Sequence, residues 1–364
     1  MPTINMLSSA TKVKGQGVSS AYIEQVNLVS DGLKDDYEVK INSFKSGDIN
    51  HYHTIDHIPL SKNGGVSVAY VHFVPETIDD SIKLPPIVKG IFYKYIIWFY
   101  KSVDHLVVVN PYFIDVLTKQ YHIDETKITY IPNYVSEENF YKQDENIIIK
   151  TREKYNINSE SFVVLGVGQV QSRKGVLDFV EVAEKLPQVQ FVWAGGFSFG
   201  AMTDGYKELK KVVEDPPSNV KFIGIVEREE MNDIYNMADV MFLPSFNELF
   251  PMAILESLAL KIPVLLRDLD IYENILFDYY LKGKNVSDFV DIITKLEPKD
   301  SEYKIWCENS WKCHEFYSKD YVLNMWKQFY DRICSKNHKL KFKGPTKLKS
   351  RIKFRRQINA KQDI

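Results

Sequence analysis

Short apolar runs bounded by turn residues recur along the chain, at residues 4–7, 66–72, 106–109, 162–166, 191–194, 220–223, 240–243 and 262–266. Runs this brief and this continuously apolar suit strands buried on both faces, and most are followed by segments of helical period. The alternation predicts an α/β fold, in which parallel sheets are covered on both sides by helices. The clearest helical segments are 177–186 and 229–237, the second lying between two of the runs. Past residue 300 the strand signal stops, and 303–333 reads as helix rich in Trp and Tyr. No internal repeat is visible.

With 364 residues, and domains of roughly 150 residues each, two to three domains are expected. The polar stretch 143–158, with few apolar anchors beyond Ile147, Ile148 and Ile149, is the expected linker. This divides the chain into an N-terminal Rossmann-like domain at 1–150, a C-terminal one at 151–310, helices at 311–335 that pack back on the first domain, and a basic tail at 336–364.

The formal net charge of −2 hides an uneven split. Residues 336–364 carry eleven Lys or Arg against one Asp, whereas the rest of the chain carries 35 basic against 47 acidic groups. The sequence therefore describes an acidic body with a cationic tail. Cys307, Cys313 and Cys334 show no metal-ligand or C-x-x-C spacing, which suits a reducing compartment. The first residues lack a basic stretch followed by a long apolar one, and the most hydrophobic segment, 95–100, is far shorter than the roughly 20 residues of a membrane span. A cytoplasmic protein is expected, touching a membrane at most from that side.

Two segments could carry chemistry. The first is Leu165-Gly-Val-Gly-Gln-Val-Gln-Ser-Arg-Lys-Gly-Val176, a strand, a loop and a helix beginning near Gly175. Gly166, Gly168 and Gly175 let backbone amides approach a phosphate, and Arg173 and Lys174 neutralise its charge. The spacing matches neither a P-loop nor a full dinucleotide fingerprint, so a tight turn with solvated cations is an equal reading of this segment alone. The second is Pro244-Ser-Phe-Asn-Glu-Leu-Phe-Pro-Met-Ala-Ile-Leu-Glu-Ser-Leu258. Here Pro251 is expected as the first residue of a helix, with Glu248 in the preceding loop and Glu256 on the second turn. Both carboxylates then face the C-terminal rim of the second sheet, where open α/β folds bind ligands.

Together with the Gly-rich loop Lys14-Gly-Gln-Gly-Val18, Val71-His72 after a strand, and Ile131-Pro-Asn-Tyr-Val135, these motifs resemble the retaining GT-B nucleotide-sugar glycosyltransferases of family 4. The resemblance runs to about residue 330. It implies two Rossmann-like domains facing a central cleft, with Arg173 and Lys174 on the donor diphosphate, Glu248 on the transferred sugar and Glu256 on the nucleotide ribose. It places Gly17, Gly168, Leu249, Phe250 and Met252 around sugar and phosphate, the base near Ile225, Asn133 near the cleft and His72 against the transferred sugar. The chain departs from the family at Gln169, where an Arg is common and whose role passes to Arg173, and at Pro251, where Gly is common. His51 and His53 imitate a metal pair but read as structural, and Asp268 with Asp270 imitates a metal-binding Asp-x-Asp. The resemblance implies no permanently bound cofactor and no metal for the transfer step.

The donor implied is UDP-glucose or UDP-galactose. Within the family the N-terminal half resembles bacterial synthases that extend a glycosyl-diacylglycerol, the chemistry of lipoteichoic-acid anchors. A teichoic-acid, polysaccharide or protein acceptor is the alternative, and a non-catalytic glycan-binding GT-B subunit is an alternative of another class. Segment 89–101 combines aromatic rings with Lys89, Lys94 and Lys101, the composition of an interfacial helix, although a core helix with extended lysines fits nearly as well. Tail residues 336–356 alternate cations with Leu, Phe and Ile, which suits an anionic membrane surface better than a nucleic acid. Peripheral association with the inner face of the cell membrane is the resulting expectation.

Overall fold

The computed structural model describes residues 1–10, 17–57, 65–78 and 85–337. Residues 14–16 of the Gly-rich loop and the tail beyond residue 337 lie outside them. The chain forms two parallel six-stranded sheets. The first contains β1 (Thr3–Leu7), β2 (Glu38–Ile41), β3 (Ile49–Tyr52), β4 (Val66–Val71), β5 (His105–Val108) and β6 (Ile128–Tyr130), in the order β2-β1-β3-β4-β5-β6. The second contains β7 (Val163–Val167), β8 (Gln190–Ala194), β9 (Val220–Gly224), β10 (Val240–Leu243), β11 (Val264–Arg267) and β12 (Leu281–Gly283), in the order β12-β11-β10-β7-β8-β9.

Alternate residues of the central strands of the first sheet enter different cores. In β4, Val68 and Tyr70 face one layer while Ala69 and Val71 face the other, and β5 divides Val107 from Leu106 and Val108 in the same way. This two-sided burial explains why the central strands read as continuous apolar runs. The helix Pro86–Ser102 covers one face of the first sheet with Ile96, Phe99 and Tyr100. The opposite face meets the helix Gly17–Gly32 and the last helix, Lys319–Asn337, whose Trp326 and Tyr330 pack beside His51 and Tyr70.

The expected linker is corrected by the structure. A helix, Glu145–Lys154, runs unbroken through residues 150 and 151 and belongs to the second body. Arg152 on it donates to the Met237 carbonyl at 2.8 Å and pairs with Asp239 at 3.2 Å. Buried in this way, the guanidinium fixes the helix against the second sheet, and the chain crosses between bodies before residue 145.

Candidate active site

In the second sheet the strand order reverses between β7 and β10, where neighbouring connections run to opposite sides and leave a crevice at the strand ends. The two loops bordering this crevice are the two segments picked out by motif. They also hold each other. Phe246 N donates to the Arg173 carbonyl at 2.8 Å, and a Cβ on Gly175 would lie 2.2 Å from the Pro244 carbonyl oxygen. Gly175 has φ +69°, so both its backbone conformation and this contact require glycine.

The loop contact brings Arg173 and Lys174 to Glu248. Lys174 Nζ donates to Glu248 Oε1, and Arg173 Nη1 stands 3.5 Å from Oε2 while donating to the Asn247 carbonyl at 3.0 Å. Both Lys174 and Glu248 are buried. Burial raises the Glu248 carboxyl, but Lys174 and Arg173 outweigh it and hold the group below its ordinary value. Burial pushes the Lys174 ammonium down. Gly168 adjoins this ammonium, since a Cβ there would lie 3.6 Å from Nζ.

Gln169, where the resemblance implies an arginine, starts a hydrogen-bonded chain that ends on Arg173. Gln171 Nε2 donates to Gln169 Oε1 at 2.7 Å, and Arg173 Nε donates to Gln171 Oε1 at 3.1 Å. A relay of two amides thus points the guanidinium of Arg173 into the site. Pro251 stands just before the helix Met252–Ala259 in extended conformation, not as its first residue. As the N-cap it accepts from Ile254 N at 3.2 Å, while the carbonyls of Leu249 and Phe250 before it are held by the first domain. Asn110 Nδ2 donates to the Leu249 carbonyl at 2.9 Å and Asn133 Nδ2 to the Phe250 carbonyl at 3.1 Å. Tyr70 orients Asn133 by donating to its Oδ1 at 3.2 Å. Met252 is buried as the first residue of the helix.

Glu256 lies on the second turn of that helix and is tied to partners of its own. It is buried, with Oε1 bound to Arg228 Nη1 at 2.8 Å and Oε2 accepting from the Tyr235 hydroxyl at 2.6 Å. The other arm of Arg228 reaches Glu24 of the first domain at 2.5 Å. Glu24 in turn accepts from Ser136 N at 3.1 Å and Asn139 Nδ2 at 3.3 Å. Glu256 is therefore one of three charged groups, two buried carboxylates and the half-buried Arg228 between them, that span the cleft. Ile225, at the end of β9, is exposed beside Gly196, and Gly17 is exposed as the first residue of its helix.

His72 follows β4, half-buried, with its Nε2 3.5 Å from His53 Nδ1. The His53 ring lies tilted against His51, whose Nδ1 is within hydrogen-bond distance of the Tyr330 hydroxyl at 3.0 Å. Burial lowers all three imidazoles, His51 and His72 to about 3, so the row is neutral at neutral pH. Among the described residues no group of three or more His, Cys, Asp or Glu is arranged to hold a metal ion. Asp268 accompanies Lys284 at 3.9 Å.

Sequence reasoning passed over Glu24, Asn110, Gln171, Arg228 and Tyr235. Gln171 lies inside the Gly-rich segment but carries no charge to mark it, and the other four stand in no motif and gain their meaning from partners distant in sequence.

The profile of the family described as glycosyl transferases group 1 matches residues 148–312. The alpha-galactosylglucosyldiacylglycerol synthase of Streptococcus pneumoniae is 42% identical over 342 residues, covering 92% of this chain and 91% of that protein. The chain belongs to the group 1 glycosyl transferases. The processive diacylglycerol alpha-glucosyltransferase of Acholeplasma laidlawii is 29% identical over 249 residues, covering 68% of this chain and 73% of that protein. Among solved structures, Anabaena HepE in complex with UDP-glucose superposes with a TM-score of 0.74 at 13% identity, covering 91% of this chain and 100% of that one. That likeness establishes the two-domain GT-B architecture of the glycosyltransferase.

Proposed function

We propose that this glycosyltransferase transfers glucose or galactose from its UDP derivative, with retention of configuration, to a monoglycosyl-diacylglycerol at the inner face of the cell membrane. The observation that carries the donor half is the convergence of Arg173 and Lys174 on buried Glu248 at the strand-order reversal. Support for the acceptor comes from the similarity to a diacylglycerol glycoside synthase along 92% of the chain.

The cations are held by Glu248 in advance of substrate. When a nucleoside diphosphate enters, its phosphates replace the carboxylate as their partner, and Glu248 is released to accept hydrogen bonds from sugar hydroxyls. As the sugar–phosphate bond lengthens, negative charge grows on the leaving phosphate beside Arg173 and Lys174 and positive character grows on the sugar near Glu248. Charge stabilisation in a dry cleft then lowers the barrier without a metal or a covalent enzyme intermediate. His72, neutral and half-buried, is suited to a hydrogen bond with the sugar rather than to acid catalysis. Glu256 meets the ribose from within its triad. The exposed apolar side of the helix Pro86–Ser102, which includes Ile87, Ile91 and Trp98, supports contact with a membrane, and the tail adds cations for an anionic surface.

The test is transfer from UDP-glucose and UDP-galactose to monoglucosyl-diacylglycerol vesicles, compared with teichoic-acid and protein acceptors. Lys174→Ala and Glu248→Ala should each lower kcat/KM by ~100-fold or more, the scale of losing one charge-stabilising partner. Activity within a few-fold of wild type in these variants refutes the site, and transfer confined to a polymer refutes the acceptor.

A further inference from the structure

The helix Pro86–Ser102 has one face in the core and another that no part of the described chain covers. Ile96, Phe99 and Tyr100 are buried, whereas Ile87 is 79%, Ile91 66% and Trp98 50% exposed. Between these faces runs a groove of about 470 Å³. Tyr93 and Ile97 line it one turn apart, Trp98 stands beside them, and Lys94 and Lys101 lie in the same stripe with exposed side chains. Pro75 and Tyr121 complete the wall.

We propose that this groove binds an acyl chain of the lipid acceptor itself, an assignment that rests on the diacylglycerol acceptor proposed above. Its walls are apolar and aromatic, and its volume falls in the range of small-molecule sites, about 300–1,000 Å³. The ammonium groups of Lys94 and Lys101 offer donors to the ester carbonyls and glycerol oxygens that head such a chain. The groove is also joined to the donor site. Pro75 begins a short helix, Pro75–Ile78, and the Glu76 carbonyl on it accepts from Asn247 Nδ2 at 2.9 Å. Asn247 is the residue before Glu248, and its own carbonyl holds Arg173. A chain seated in the groove therefore lies against the same strut that borders the sugar site, so the lipid's sugar is delivered toward the cleft. A groove used only for general adhesion would not need this connection.

The experiment uses full-length enzyme in neutral detergent micelles, which removes attraction between a cationic protein surface and anionic lipid. Acceptors are monoglucosyl-diacylglycerol with long chains and an alkyl glucoside with a short one. Ile97→Glu and Trp98→Ala change the groove, and Ile87→Glu changes the exposed face outside it. UDP binding by calorimetry confirms that each variant is folded. The expected result is that both groove variants raise KM for the long-chain acceptor by about tenfold, the scale of losing two methylenes of apolar contact, with KM for the short one within about twofold of wild type. Ile87→Glu should show no dependence on chain length. Equal effects on long and short acceptors, or unchanged KM in an enzyme that does transfer to the long-chain lipid, overturn the groove assignment and leave the acceptor standing. Absence of transfer to either lipid by wild-type enzyme, with transfer to a polymer, overturns the acceptor and the groove with it.

Discussion

Replacing Arg228 with Met tests how the two domains are held. In the native chain one guanidinium serves two carboxylates, Glu24 from the first domain and Glu256 from the second, whose side chains are 1% and 5% exposed. Removing the shared cation leaves two buried negative charges. The hydrogen bonds from Ser136, Asn139 and Tyr235 persist, so the cost falls at the low end of that for breaking a buried pair, about 3 kcal/mol. Divided by an unfolding entropy of ~2.1 cal/mol/K per residue over the whole chain, this lowers Tm by about 4 °C. There is a second route for relief. Because the carboxylates come from different domains, opening the cleft hydrates both, so Arg228→Met should also enlarge the radius of gyration in solution scattering. Saturating UDP should reverse part of that expansion. Arg228→Lys, a single point charge that cannot bridge two carboxylates as a planar fork does, should recover less than half of the loss. A Tm within about 1 °C of wild type, together with an unchanged radius of gyration, would refute the claim that this triad joins the domains.

The acid limb of stability should carry a contribution from Glu248. Its carboxyl is held below its ordinary value of 4.5, so the stabilisation is fully present above that pH and is lost as pH falls through the lower folded value. The Tm gap between wild type and Glu248→Gln should therefore narrow on acidification below pH 4.5, and a gap independent of pH contradicts the ion pair. Gly175→Ala adds a methyl 2.2 Å from the Pro244 carbonyl oxygen at φ +69°, a strain of roughly 1–3 kcal/mol. It should separate the two loops and weaken UDP binding by calorimetry, whereas an unchanged Kd shows that loop contact does not position Lys174. Deleting residues 336–364 should weaken binding to anionic vesicles by at least tenfold, given ~1 kcal/mol for each cation near such a surface. Residual binding should depend less on salt, and unchanged vesicle binding removes the tail from membrane attachment.

All eight apolar runs became strands, while β2, β3, β6 and β12 went unread. Three of these four stand at sheet edges, where one side lacks a neighbouring strand and polar residues are tolerated. Their sequences, Glu-Val-Lys-Ile, Ile-Thr-Tyr and Leu-Lys-Gly, lack an apolar run for that reason. The fourth, β3, is central and wholly buried but carries Asn50 and His51. Asn50 accepts from Gly47 N at 3.0 Å and donates to Ser46 at 2.8 Å, and His51 is met by Tyr330 from a helix nearly 280 residues later. Such polar residues satisfy each other only in the folded chain, so the strand has no local apolar signature.

The site divides along the same line. Arg173, Lys174 and Glu248 are legible because their chemistry resides in residue type and in spacing within a loop. The work of Glu256 is not legible in that way, since Arg228 stands 28 residues before it and Glu24 lies in another domain. The consequence is mechanistic. If the ribose engages Glu256, it competes for the carboxylate that orients Arg228 toward Glu24 of the first domain, so donor binding and cleft closure act on one guanidinium. A nucleotide that adds hydrogen bonds to Glu256 without displacing Arg228 keeps the guanidinium aimed at Glu24, while one that displaces it from Glu256 removes that orientation and loosens the cleft. UDP binding to Tyr235→Phe separates these cases. With one hydroxyl removed from Glu256, a displaced guanidinium predicts looser domains in the UDP complex than in the free enzyme, and a retained one predicts the reverse.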